Sequence, residues 1–154
     1  MTARRFGRYE LLTTDIAGAR GFYDRIFGGD FWGEDVTVAA LPERALANGA
    51  RPHFRGQLGV SDVERTLARL VAEGGQQLGP LLPAAGGAVR AGVREPFGAV
   101  LALSSEAMPV PRPQIGLAPA GRSRPPKSVR AVQRALLVPC DDPQGAAFGL
   151  YQQA

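Results

Sequence analysis

The chain has 154 residues, a formal charge of +4 and a single cysteine, a length that suits one domain with at most a short appendage and excludes two independent enzyme domains. With 45% hydrophobic residues it can bury a core, and no run approaches the roughly 20 apolar residues needed to cross a bilayer. The opening Met1-Thr2-Ala3-Arg4-Arg5-Phe6 never develops the apolar stretch of a secretory signal, so a soluble, cytoplasmic protein is expected by default. Cys140 alone allows no internal disulfide and no thiolate-based zinc site, and its proline and aspartate neighbours are expected to raise its pKa and leave it idle.

In chain order, the first segment runs from Phe6 to Asp15 as a strand with an aspartate helix cap, followed by a helical pattern to Gly28-Gly29. Ile16, Ala19, Phe22, Tyr23, Ile26 and Phe27 fall on one face of that helix. Phe31-Trp32 and Val36 to Leu41 follow as a compressed strand region. The pattern then restarts: His53 to Asp62 reads as strand and cap, and a helix with Val63, Leu67, Leu70 and Val71 on one face runs to Gly74-Gly75. Arg8 stands seven residues before Asp15, as Arg55 stands seven before Asp62. Gln76 to Leu82, Ala88 to Val93 and Ala99 to Ser104 read as three further strands, so the second unit is βαβββ and the first has at least one strand shortened or lost.

The charge excess lies entirely beyond residue 106, where Arg112, Arg122, Arg124, Lys127, Arg130 and Arg134 meet no acid before Asp141. Pro109, Pro111, Pro113, Pro119, Pro125 and Pro126 make residues 107–134 a Pro/Arg-rich strap, and without aromatic stacking partners it reads as a solvated strap rather than a nucleic-acid surface. Finally, Asp141-Asp142-Pro143-Gln144-Gly145 mirrors Arg94-Glu95-Pro96-Phe97-Gly98 as a tight turn into an apolar strand, so residues 135–154 are expected to close as a hairpin that adds to the sheet.

The stretches Tyr9-Glu10-Leu11-Leu12-Thr13-Thr14-Asp15, Phe22-Tyr23-Asp24-Arg25-Ile26-Phe27-Gly28, Pro52-His53-Phe54 with Val60-Ser61-Asp62-Val63, and Glu95-Pro96-Phe97-Gly98, taken in order, resemble the vicinal oxygen chelate superfamily of glyoxalases, bleomycin-resistance proteins and extradiol dioxygenases. The resemblance covers residues 6–104. It implies an α+β fold of paired βαβββ modules, about 6–50 and 53–104, curling into a cupped mixed sheet within a domain 1–106, with the first module shortened. The carboxyl-terminal hairpin then looks like the end of a second such domain. Metal-dependent members place ligands on the first and last strand of each module. Aligned on the capping aspartates and the glycine turn, those positions are Arg8, Arg55 and Ala102, with Gly149 as the tail counterpart; none can ligate, so no metal and no other cofactor is expected. Glu43 is the nearest acid to the fourth position, in the compressed stretch.

Strand parity then supplies the cup. If Arg8 points inward, Glu10 and Leu12 follow, and Arg55 brings Gln57 and Gly59. Two guanidinium forks suit a carboxylate, phosphate or other oxygen-rich ligand, although Glu10 could instead pair with one of them. His53, the only histidine, is the candidate for proton transfer near neutral pH, set against a surface or capping role. Trp32 could stack on a planar ligand or simply pack. No nucleophile elbow, Cys-His pair or phosphate loop is present.

These residues predict a metal-independent protein that binds a small anionic or oxygen-rich organic molecule, as drug-sequestering members of the resembled group do. The site would comprise Arg8, Arg55, Gln57 and Trp32, with Glu10 and His53 as catalytic candidates if turnover occurs. The rival is a metal-free isomerase, lyase or cyclase with Glu10 as base. A metal-dependent lyase or dioxygenase with unusual ligands, and a decayed scaffold, are further alternatives. A homodimer is expected because a trimmed module leaves a sheet edge to cover; no membrane partner is expected.

Overall fold

A computed structural model of the chain describes residues 6–109, 130–132 and 135–153. It is of mixed α+β class. Its elements are β1 (Phe6–Thr13), α1 (Ile16–Phe27), β2 (Val36–Ala40), α2 (Glu43–Ala47), β3 (His53–Gly59), α3 (Val63–Ala72), β4 (Gln76–Pro83), β5 (Val89–Arg94), β6 (Val100–Ser104), β7 (Arg130–Val132), β8 (Ala135–Asp141) and β9 (Ala147–Gln153). Six strands form a mixed sheet in the order β2-β1-β3-β6-β5-β4, and the last three form a second sheet, β7-β8-β9. No described helix is long and apolar enough to cross a membrane. Most of the strap, including Arg112, Arg122, Arg124, Lys127 and Arg134, lies outside the described residues; Arg130 opens β7.

The chain divides into two compact units, Met1–Tyr9 with Arg55–Pro111 and Glu10–Phe54 with Arg112–Ala154. β1 and β3 each contribute residues to both.

In the first unit, β3 runs parallel to β6, and β6 and β5 run antiparallel, as do β5 and β4. Asp62 starts α3 by accepting a hydrogen bond from the Arg65 N–H at 2.9 Å, satisfying one of the amides that a helix start leaves without a partner. The helix then buries Val63 and Leu67 against Val60, Ala91, Val93 and Leu103, with Leu58, Leu70 and Leu101 at the margin. At roughly 1.5–3 kcal/mol for each large aliphatic side chain taken from water, this layer is what holds the unit together. Val71, expected on the same stripe, is 48% exposed; the apolar face is narrower than the sequence pattern suggests.

The second unit is organised around Tyr23. Asp15 caps α1 through the Gly18 N–H at 2.8 Å, and one turn of the helix, Ala19 to Tyr23, faces inward. Ile16 and Ile26, read as part of that face, are instead exposed. The Tyr23 ring stacks on Phe31 at 5.0 Å between centroids and meets Phe22, Trp32, Phe54 and Phe148 edge-on at 5.1 to 5.7 Å. Such pairs add about 0.5–1.5 kcal/mol each beyond the area they bury. After β2 the chain forms the short helix α2 rather than further strands, and Glu43 stands exposed at its start.

The carboxyl-terminal hairpin is present, with β8 and β9 paired from Ala135↔Gln153 to Asp141↔Ala147. The reading that it extends the main sheet is corrected: it pairs with β7 in a sheet of its own. Within its unit it is fastened to the amino-terminal half by side chains. Tyr23 Oη donates to Asp142 Oδ2 at 3.2 Å, Thr13 donates to Gln144 Oε1, and Gln144 Nε2 donates to the Asp15 carbonyl at 3.1 Å.

Candidate functional site

In the first unit the register settles which side chains share a face. Gln57 pairs with Ala102 and Gly59 with Ser104 across β3 and β6; Arg90 pairs with Ser104 and Gly92 with Ala102 across β5 and β6. Leu58, Ala91, Val93, Leu101 and Leu103 pack toward α3, so alternation sends Gln57, Gly59, Ala102, Ser104, Arg90 and Gly92 to the opposite side. That side is polar. Its central side chains are small, and a methyl group added at Gly92 would stand 3.7 Å from Arg55 Nη1.

Gln57 is fully buried there, and neither its Oε1 nor its Nε2 has a hydrogen-bond partner. Leaving a buried amide unsatisfied costs about 1–3 kcal/mol, which makes it the most unusual group of the unit.

Two residues past the end of β6, Glu106 gathers the charges. Its Oε2 accepts from Arg90 Nε at 2.7 Å, Arg8 Nη1 at 3.2 Å and Ser104 Oγ at 3.2 Å. Its side chain is only 9% exposed. The hydrogen bond from Arg90, opposed by burial and reinforced by the charges of Arg90 and Arg8 and by Ser104, holds its carboxyl below the usual glutamate value. Sequence reading missed this residue, although Ala102, Ser104 and Glu106 continue the same two-residue alternation. Arg8 therefore has Glu106 as a carboxylate partner. Arg8 and Arg90 both meet Glu106, and Arg55 Nη1 stands beside Gly92 on the same side of the sheet as Gln57.

Glu10, His53 and Trp32 lie in the second unit. Glu10 is half-buried in mid-strand. His53 Nδ1 lies 2.7 Å from the Arg51 carbonyl, so in the neutral ring Nδ1 carries the proton and the buried Nε2, which has no partner, holds the lone pair. Trp32 is occupied in packing. Its ring meets Phe31 and Tyr23, its Nε1 donates to Asp24 Oδ1 at 2.9 Å, and the Arg20 guanidinium lies 5.2 Å from its centre. Burial, then Asp142, raises the Tyr23 phenol pKa far above its ordinary 10.0, so this pair is a neutral-donor lock on the hairpin rather than an acid or base. Burial, then Asp141, likewise raises the thiol of Cys140.

Arg8, Arg55 and Ala102, the positions that the resemblance singles out for metal ligands, do not suit a divalent cation. Arg8 and Arg55 present guanidinium groups, Ala102 has no donor, and the nearby Glu106 commits one oxygen to three hydrogen bonds. Among the described residues no three His, Cys, Asp or Glu side chains are grouped as a metal ion would need. Compared with models of known families and with curated proteins, the chain matches none.

Proposed function

We propose that the chain is a small-molecule-binding protein of the vicinal oxygen chelate kind, acting without a metal and holding a small anionic or oxygen-rich organic molecule on the Gln57 side of β3 and β6. The unsatisfied Gln57 amide carries this reading. An interior donor and acceptor with no partner weaken the fold and give nothing back in packing; a ligand offering one acceptor and one donor repays both. The surrounding arginines supply the positive field that an oxyanion needs. The order of elements in residues 53–104, a strand, a helix and three strands with the first beside the last, supports the second of the paired βαβββ modules. Residues 6–40, with strand, helix and strand, support a shortened first one. A sequestering role in the cytoplasm, as a homodimer, completes the reading.

Native mass spectrometry of the full chain titrated with malonate, citrate and inorganic phosphate tests it, with Gln57→Leu beside the wild type. Gln57→Leu is expected to be more stable by about 1–3 kcal/mol, since it removes two unsatisfied polar atoms at similar volume, yet to lose the one-to-one adduct. Undiminished binding by Gln57→Leu would overturn the reading. The same spectra report whether the protein is a dimer.

A further inference from the structure

A buried amide that lacks both of its partners narrows the chemistry of what completes it. We propose that the ligand is a small planar cyclic amide, a lactam or imide, which presents an N–H and a C=O side by side to the Gln57 amide and lies over Ala102. This rests on the binding function above and, among the ligands that function admits, selects an oxygen-bearing, uncharged ring.

The first observation is chemical. Gln57 Oε1 only accepts and Nε2 only donates; both atoms are buried and neither has a partner. A carboxylate brings acceptors alone, so it meets Nε2 and sets a second oxygen against Oε1. An ammonium group brings donors alone and leaves Nε2 unmet. A single hydroxyl serves one of the two atoms. A group with an N–H beside a C=O, held cis by a ring, serves both at once through two parallel hydrogen bonds. A protonated carboxylic acid has the same pattern, but near neutral pH such acids are ionised. Because Gln57 is fully buried, the two bonds form where no water competes for them.

The second observation is the row in which Gln57 stands. The pairings Gln57↔Ala102, Gly92↔Ala102 and Leu78↔Gly92 set four residues side by side across β3, β6, β5 and β4, on the side away from α3. Neighbouring strands are about 4.8 Å apart, so about 10 Å separates β3 from β5. Across that width the two positions next to Gln57 carry a methyl group and a hydrogen. A flat ring lies against such a floor along its whole face, whereas a tetrahedral group touches it at one point.

The third observation is the far end of the row. The place where a Cβ on Gly92 would stand is 3.6 Å from Leu78 Cβ and 3.7 Å from Arg55 Nη1. A ring over Ala102 therefore has the Gln57 amide at one edge and, at the other, an aliphatic side chain and a guanidinium. The second carbonyl of an imide would point toward that charge. Arg55 contributes its position and keeps the interactions it already makes.

Calorimetric titration of the full chain with 2-pyridone, N-methyl-2-pyridone and benzoate, on the wild type and on Gln57→Leu, tests the proposal. N-methylation deletes the donor and keeps the ring and carbonyl; benzoate keeps the plane and offers two acceptors. The wild type is expected to bind 2-pyridone one to one and the other two at least about tenfold more weakly, since each leaves Gln57 Oε1 buried without a partner. Gln57→Leu is expected to lose that preference. Equal affinity for 2-pyridone and its N-methyl derivative would overturn the cyclic amide, and a preference retained in Gln57→Leu would overturn its assignment to this residue. Binding of benzoate or malonate that depends on Gln57, with none of 2-pyridone, would overturn the ligand class and leave the binding function standing. Absence of binding by every compound, malonate, citrate and phosphate included, would overturn both and assign the place beside Gln57 to an internal water. The comparison among compounds is made on the wild type, so it decides even if the variant does not fold.

Discussion

Glu106 is a group whose proton affinity is set by its neighbours. In the folded chain Arg90, Arg8 and Ser104 hold its pKa below the ordinary 4.5 of the unfolded chain. Because the folded value is the lower one, the stabilisation it brings is complete above the unfolded value, begins to fade as the pH drops below 4.5, and is lost only as the pH falls through the folded value. Urea unfolding of wild type and Glu106→Gln across the acid range is therefore expected to show an advantage for the wild type at neutral pH that vanishes in acid; an advantage that grew toward acid would contradict the pairing. The residue is also the clearest measure of what sequence reading can reach. Gln57 was legible as sharing a strand face with Arg55, from two-residue alternation. Glu106 was not, because its partner Arg8 stands 98 positions away and no local pattern reports a pairing of that kind. The same distance effect hid the hydrogen bond of Tyr23 to Asp142, although the helical period placed Tyr23 on the apolar face and it is buried.

At the level of elements, caps and turns were the most legible features, since their chemistry is local. Asp15 and Asp62 both cap helices as their position predicts. The mirrored turns have one construction. Glu95 accepts from the Phe97 and Ala99 N–H groups with its carboxylate, Asp142 accepts from those of Gln144 and Ala146, and Gly98 and Gly145 take φ values of 104° and 87°. Only glycine enters that region without strain. Gly145→Ala is accordingly expected to cost about 1–2 kcal/mol by chemical denaturation, while the methyl group itself meets open space; an unchanged midpoint would mean the turn relaxes freely. Helix faces were less legible. Ile26 and Val71 satisfy the 3.6-residue period yet are about half exposed, because periodicity marks which residues could face a sheet and only packing decides how wide the contact is.

For the molecule as a whole, the hairpin belongs to the same compact unit as the first helix. Phe148 and Asp142 both touch Tyr23, and Gln144 is bonded to Thr13 and to the Asp15 carbonyl. A chain ending at Pro109 loses all of these while keeping every element of the first unit. Its tyrosine is left with an unsatisfied hydroxyl and an uncovered ring, so the second unit is expected to lose cooperative unfolding. Near-ultraviolet circular dichroism would record the aromatic signal disappearing, and a retained native spectrum would refute the dependence. Sequence pattern identified the hairpin and both of its arms, but placed it on the main sheet. Strand periodicity says that an edge will be paired and is silent on which edge, and the side chains that choose are polar ones scattered over the length of the chain.

That dependence also has a time axis. Tyr23 is synthesised 119 positions before Asp142, and at ribosomal speeds of 5–20 residues per second the delay is roughly 6 to 24 s. Through that interval the rings of Tyr23 and Phe27 are already made while Phe148, which packs against both, does not yet exist, so in the nascent chain these rings stay without that cover until β9 emerges.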